Sequence, residues 1–203
     1  MRILARPPFL LRQLYPGAAW RMNASEKKIF LTFDDGPVPG VTPAALSVLK
    51  EQDVRATFFC VGENVQRHPE IFSSILEQGH RVGNHTFHHA DGWKHTSRSY
   101  LREVRQCAEV VKSDLFRPPY GRMRRSQFEA IRRKYKVIMW DVLTCDFDLS
   151  LSCEDVLSIA AGHSRPGSVI VFHDSLKAKE RMLYVLPKYI AEMKTRGFAF
   201  DVL

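Results

Sequence analysis

Seven short runs rich in β-branched and aromatic residues recur along the chain, with helically spaced stretches between them. No other feature limits the available folds as much. The runs are KIFLTF (28–33), VRATFFCV (54–61), HRVGNHT (80–86), LFRPPY (115–120), YKVIMWDV (135–142), GSVIVFHD (167–174) and FAFDVL (198–203). Their composition predicts strands. Between them, Ala45, Val48 and Leu49, then Ile71, Phe72, Ile75 and Leu76, then Leu101, Val104, Ala108 and Val111 fall at helical intervals. Thr42-Pro43 reads as a helix cap followed by proline at the first helical position, and Gly79 and Gly197 stand where helices should stop. Such alternation predicts a mainly parallel sheet covered by helices. An open doubly wound sheet and a barrel both satisfy it, and periodicity leaves both open.

A chain of 203 residues, 45% hydrophobic, is long enough for one substantial core and short for two domains. No segment approaches the roughly 20 apolar residues that span a bilayer, and the run Pro8 to Leu11 is broken by Arg12. No export signal is read. Cys60, Cys107, Cys145 and Cys153 form no CxxC pair, so reduced thiols in a cytoplasmic protein are expected. The formal charge of +8 is uneven, because RPPYGRMRRSQFEAIRRKYK (117–136) holds many of the basic residues. Those residues form either a solvated helix face or a footprint for an anionic glycan or nucleic acid. Only Phe128 and Tyr135 interleave as aromatics downstream of the turn, too few for a single-strand binder, so no nucleic-acid partner is expected.

Polar residues fall repeatedly just past the carboxyl ends of the expected strands. Asp34 and Asp35 follow KIFLTF, His85 and His89 follow RVGN, and Arg117 to Tyr120 follow Leu115-Phe116. Asp141 and Asp146 follow VIMW, and His173-Asp174 follow VIVF. In a parallel sheet these would gather on one rim. Two imidazoles four residues apart and one carboxylate can hold a divalent ion with a position left open for water, the arrangement a hydrolytic metal needs. The adjacent aspartates would then divide two duties, one on the cation and one free to take a proton. Arg117, arriving from another strand, would hold the free carboxylate ionised.

Taken together, these residues resemble the polysaccharide deacetylases of the NodB-homology type, carbohydrate esterase family four. Five motifs occur in that family's order: TFDDGP (32–37), HTFHH (85–89), RPPYG (117–121), WDVLTCDF (140–147) and VFHD (171–174). The resemblance runs from Lys28 to the C-terminus. It implies an α/β fold, a distorted, incomplete (β/α) barrel of about seven parallel strands. Residues 28–203 would be the catalytic domain and 1–27 an N-terminal extension packed on it. By the same resemblance Asp34 is the catalytic base, and Asp35, His85 and His89 are the metal ligands, with His88 outside the set. Arg117 orients the base, the Tyr120 backbone N–H helps stabilise the oxyanion, and His173 is the general acid with Asp146 as its partner. Pro119, Trp140, Phe147 and Val171 would line the pocket for the acetyl methyl group.

The implied cofactor is one divalent ion, zinc, with cobalt or nickel as alternatives. The implied substrate is an N-acetylglucosamine-containing polysaccharide or oligosaccharide, cleaved by water at the acetamide. An amine cannot leave unprotonated, which gives a histidine opposite the base its purpose. The fourth motif departs from the family: Leu143 stands where an aspartate is common, and Phe147 where tryptophan is. Two other readings therefore stay open, a glycan-binding homologue without turnover and an O-acetyl esterase of the xylan type.

Overall fold

The strand KIFLTF is buried along nearly its whole length, as a central parallel strand must be when both faces are covered. The computed structural model describes residues 5–23 and 26–203, apart from the Leu10 side chain. Its elements run α1 (Phe9–Leu14), β1 (Lys28–Asp34), α2 (Thr42–Glu51), β2 (Thr57–Cys60), α3 (Gly62–Arg67), α4 (Pro69–Glu77), β3 (Arg81–Asn84) and α5 (Ser97–Val110). There follow β4 (Leu115–Phe116), α6 (Arg125–Ile131), β5 (Lys136–Val137), β6 (Val142–Leu143), α7 (Cys153–His163), β7 (Val169–His173), α8 (Lys179–Thr195) and β8 (Ala199–Asp201). Every strand pair is parallel, in the order β5-β4-β3-β2-β1-β7-β6, with β8 beside the start of β1.

The sheet curls into a distorted, incomplete barrel. Phe30, Phe59, Leu115, Ile138 and Val169 form one cluster with Leu203, and side chains from strands this far apart in the order meet only inside a curl. Alternate residues of a strand face opposite ways, so Ile29, Leu31 and Phe33 belong instead to the larger outer cluster with Ala45, Leu49, Leu186 and Tyr189 of α2 and α8. Each such fully buried side chain contributes about 1.5–3 kcal/mol of transfer free energy.

YKVIMWDV, expected as one strand, is divided. Its start pairs with β4 and its end with β7, so one run leaves one edge of the sheet and joins the other without a helix between. The N-terminal segment occupies that gap. The Ala19 N–H donates to the Val137 carbonyl and the Met139 N–H to the Ala19 carbonyl, both at 2.8 Å. Tyr15 packs on Phe128 with ring centroids 5.4 Å apart, and its hydroxyl donates to the Met123 carbonyl at 2.8 Å.

Helix stops agree with the glycines: Gly79 and Gly197 follow α4 and α8 with φ of 76° and 78°. The expected cap at Thr42 does not form. Thr42 is the first residue inside α2, its hydroxyl accepting from the Val38 N–H at 2.8 Å and donating to Asp174 at 2.6 Å. Among the described residues no helix is long and apolar enough to cross a membrane.

Candidate active site and metal centre

Asp34 is the last residue of β1 and continues the inward-facing series of Phe30 and Thr32. Asp35 lies beyond the strand at φ 88°, which turns the chain, and so the two neighbouring carboxylates meet different partners. Asp34 meets a cation inside the barrel. Arg117, fully buried at the end of β4, donates from Nη1 to Asp34 Oδ1 at 2.6 Å and to Thr32 Oγ1 at 2.7 Å. Its other nitrogens donate to the Ile138 and Met139 carbonyls at 3.3 and 3.0 Å, and its guanidinium lies 4.1 Å over the Phe59 ring. A buried ion pair is tolerable only when its remaining donors find partners, and each of the three guanidinium nitrogens has one.

Asp35 meets imidazoles. Its Oδ1 lies 3.1 Å from His89 Nε2 and 3.9 Å from His85 Nε2. One ligand atom from each of the three residues falls within 4.8 Å of the others. His85 Nδ1 donates to the Arg117 carbonyl at 2.8 Å, which fixes the tautomer and leaves Nε2 as the electron-pair donor. The His85–His89 turn is closed locally: the Thr86 N–H donates to Asn84 Oδ1 at 3.0 Å, and Thr86 Oγ1 accepts from the Ala90 N–H at 2.8 Å. Burial pushes the His85 imidazolium down to about 4, the nearby carboxylates only partly opposing it, so the ring is neutral as a ligand must be. Burial disfavours the ionised Asp35, but the His89 hydrogen bond and the charge of His173 outweigh it and hold the carboxyl well below its usual range. Two imidazoles and an ionised carboxylate fit a divalent cation. His88 is turned away, its Nδ1 on Glu103 at 3.0 Å.

On the opposite side stands His173, at the end of β7. Its Nδ1 faces Asp146 Oδ1 at 2.7 Å, and its backbone N–H donates to Asp146 Oδ2 at 2.8 Å. Burial lowers the His173 pKa, yet the charge and hydrogen bond of Asp146, with smaller contributions from Asp35 and Asp34, raise it to about 9. Asp141, expected on the same rim, is elsewhere. Its N–H donates to the Val169 carbonyl at the start of β7, and its carboxylate accepts from Arg165 at 2.6 and 2.9 Å and from Ser168 at 2.8 Å.

These groups open into a cleft of about 560 Å³ whose apolar side is Trp140, Leu143, Phe147 and Val171. Pro118 lines it; Pro119, expected there, is buried within the short turn Pro119–Gly121. Tyr120, at φ 59°, sits beside His89 with ring centroids 4.7 Å apart. Gly121 has φ 67°, and a Cβ there would overlap the Trp140 ring, so glycine allows Trp140 to form the cleft wall. The long basic stretch is not one helix face. Arg117 is interior, Arg122 lines the cleft, and Arg132, Arg133 and Lys134 are exposed beyond the end of α6.

Two groups that shape the site carry no role in the sequence reading. Asp174 accepts from the Gly36 N–H at 3.0 Å and from Thr42 at 2.6 Å, partners 138 and 132 positions away. Burial is the main cause raising its carboxyl to about 7, with the Thr42 bond opposing. Asn64 donates to the Asp35 carbonyl at 2.8 Å. The only sequence signal for Asp174 is an acid directly after His173; for Asn64 there is none.

A family model described as polysaccharide deacetylase matches residues 21–137. A peptidoglycan-N-acetylglucosamine deacetylase of Bacillus cereus is 33% identical over 187 residues, covering 88% of this chain and 68% of that protein. A chitooligosaccharide deacetylase of Azorhizobium caulinodans is 28% identical, covering 92% and 98%. The crystal structure of the Bc1960 peptidoglycan N-acetylglucosamine deacetylase superimposes with a TM-score of 0.89 at 31% identity, over 97% of this chain and 95% of the other.

Proposed function

Because the chain belongs to the polysaccharide deacetylase family, we propose that it removes N-acetyl groups from N-acetylglucosamine-containing glycans of the peptidoglycan or chitin type, with a divalent metal as cofactor. One observation carries this reading: adjacent aspartates are parted, Asp34 to a buried arginine and Asp35 to two imidazoles, with the His173–Asp146 pair across the same cleft. Asp35, His85 and His89 would hold the ion. When bound, a divalent cation supplies Lewis-acid polarisation and makes water acidic near neutral pH. Zinc suits the donor set of two nitrogens and one oxygen, with cobalt and nickel as alternatives.

The chain's own residues supply the rest. Asp34, aimed by Arg117, takes the proton of the attacking water. The Tyr120 backbone N–H donates to the carbonyl oxygen as negative charge develops there. His173 has Nδ1 committed to Asp146, so Nε2 carries the proton that passes to the departing amine. An alkoxide needs that proton far less than an amide nitrogen does, which favours N-acetyl over O-acetyl substrates. Trp140, Leu143, Phe147 and Val171 surround the acetyl methyl, and Leu143 and Phe147 keep that side apolar where the family often differs. On this reading residues 28–203 are the catalytic domain, and 1–27 an extension whose contacts with Val137 and Met139 support its packing there.

The test is acetate release from chito-oligosaccharides, peptidoglycan fragments and acetylated xylan by chelator-stripped protein reloaded with zinc, cobalt or nickel. Release from the first two, dependent on metal, is expected. Release from xylan alone would make the protein an O-acetyl esterase, and glycan binding without release at full metal occupancy would make it a binding protein.

A further inference from the structure

The structure carries a second surface that the deacetylase reading does not use. The N-terminal segment, the end of α6 and the turn before β7 form one strongly basic face. Arg132 donates to the Pro16 carbonyl at 3.1 Å, Lys136 Nζ lies 4.0 Å from Met22 Sδ, and Arg12 and Arg165 share the Asp141 carboxylate. Arg6 donates to the His163 carbonyl at the end of α7. Carboxylates are fewer than cations here: Asp141 is buried beneath Arg12 and Arg165, Glu129 is tied to Arg132 at 3.7 Å, and Asp114, beside Lys136, is paired with Arg81. Among the described residues, Arg21, Arg133, Lys134 and Lys136 have no carboxylate partner. None of these cations lines the cleft.

Helix α1, whose Arg12 reaches the Asp141 carboxylate, also displays apolar side chains to solvent. Phe9 is 73% exposed and Leu14 54%. They are held outward rather than frayed, because Leu11 and Tyr15 of the same segment pack into the cluster around Phe128 and Trp20. Isolated cations attract any polyanion, but exposed phenyl and isobutyl groups beside them favour a surface with an apolar layer beneath its charge.

We propose that this face docks on a lipid bilayer bearing anionic phospholipids, with Phe9 and Leu14 entering the headgroup region and the cleft left free. Its geometry is independent of the catalytic reading. The experiment is co-sedimentation of the full chain with phosphatidylglycerol–phosphatidylcholine vesicles and with pure phosphatidylcholine vesicles, at low and high salt, alongside double-stranded DNA. Binding to the anionic vesicles that weakens with salt is expected. Arg133→Ala with Lys134→Ala should weaken it roughly 30-fold, at about a fivefold factor per cation near a charged surface. Phe9→Ser should weaken it severalfold at every salt concentration, and Lys50→Ala with Lys188→Ala, on α2 and α8, should not. Absence of anionic-vesicle binding at low salt, equal loss in the α2 and α8 control, or DNA binding tighter than vesicle binding and indifferent to Phe9→Ser would each overturn the proposal. Acetate release from soluble chito-oligosaccharides by the same variants should be unchanged, so a failure of docking and a failure of catalysis are read separately.

Discussion

Asp146→Asn probes the proton-donor role proposed for His173. Asparagine keeps the shape of the group facing His173 Nδ1 and its backbone N–H but removes the charge and turns one of the two acceptor oxygens into an NH2 donor. In the native protein burial lowers the His173 pKa and Asp146 overcomes it, raising the value from 6.5 to about 9. That difference corresponds to about 3 kcal/mol in favour of the imidazolium. Because the folded-state pKa is raised, this contribution to stability is fully present below pH 6.5 and is lost as pH rises through about 9. In Asp146→Asn, burial is left without its main opponent and the pKa falls. A return to the ordinary 6.5 would cut the protonated fraction at pH 8 roughly 30-fold, while near pH 6 the loss should be much smaller. A bound cation would oppose the smaller contributions of Asp35 and Asp34, so the alkaline limb of the loaded native protein should lie at or below 9. The assay is the pH profile of kcat for acetate release, paired with NMR titration of the His173 ring. An alkaline limb that does not move in Asp146→Asn, with the fold intact, would refute His173 as the acid.

Three further perturbations have defined outcomes. Arg117→Ala strands the buried Asp34 carboxylate and should cost about 3–5 kcal/mol of unfolding free energy in a denaturant titration; a loss under about 1 kcal/mol would show that the pair is not desolvated. Gly36→Ala places a Cβ against the Asp174 carboxylate and should lower kcat at least about tenfold by shifting the Asp34–Asp35 turn on the order of 1 Å; unchanged kcat would mean the turn adapts freely. Zinc at a hundredfold its Kd should stabilise the fold by about 2.7 kcal/mol, roughly 5–10 °C in Tm for a chain this size. The shift should vanish in Asp35→Asn, and its persistence there would place the ion elsewhere.

Much of the site was legible because its residues follow strand ends, where a parallel sheet brings distant loops together. Asp34, Asp35, His85, His89, Arg117, Asp146 and His173 could be grouped by that rule alone. The same rule misplaced Asp141, because a run that changes neighbours midway has an interior start for a second pairing where one strand end was expected. YKVIMWDV is apolar on both faces, so nothing in its pattern marks where pairing passes from β4 to β7. Thr42 carries the composition of a cap, yet Asp174, 132 positions on, takes its hydroxyl. Local spacing cannot register a bond made across the barrel, and for the same reason the anchoring of Gly36 by Asp174 stayed hidden. The basic stretch looked like one patch because sequence does not show that Arg117 turns inward while Arg132 to Lys134 emerge at the far end of α6.

The most direct measurement is acetate release and metal content determined together on native protein and Asp34→Asn, with N-acetylglucosamine oligomers as substrate. If Asp34 is the base and Asp35, His85 and His89 hold the ion, both proteins bind one divalent metal per chain and only the native one releases acetate. Equal acetate release from the two, or loss of the metal on changing Asp34, would contradict the division of labour between the paired aspartates.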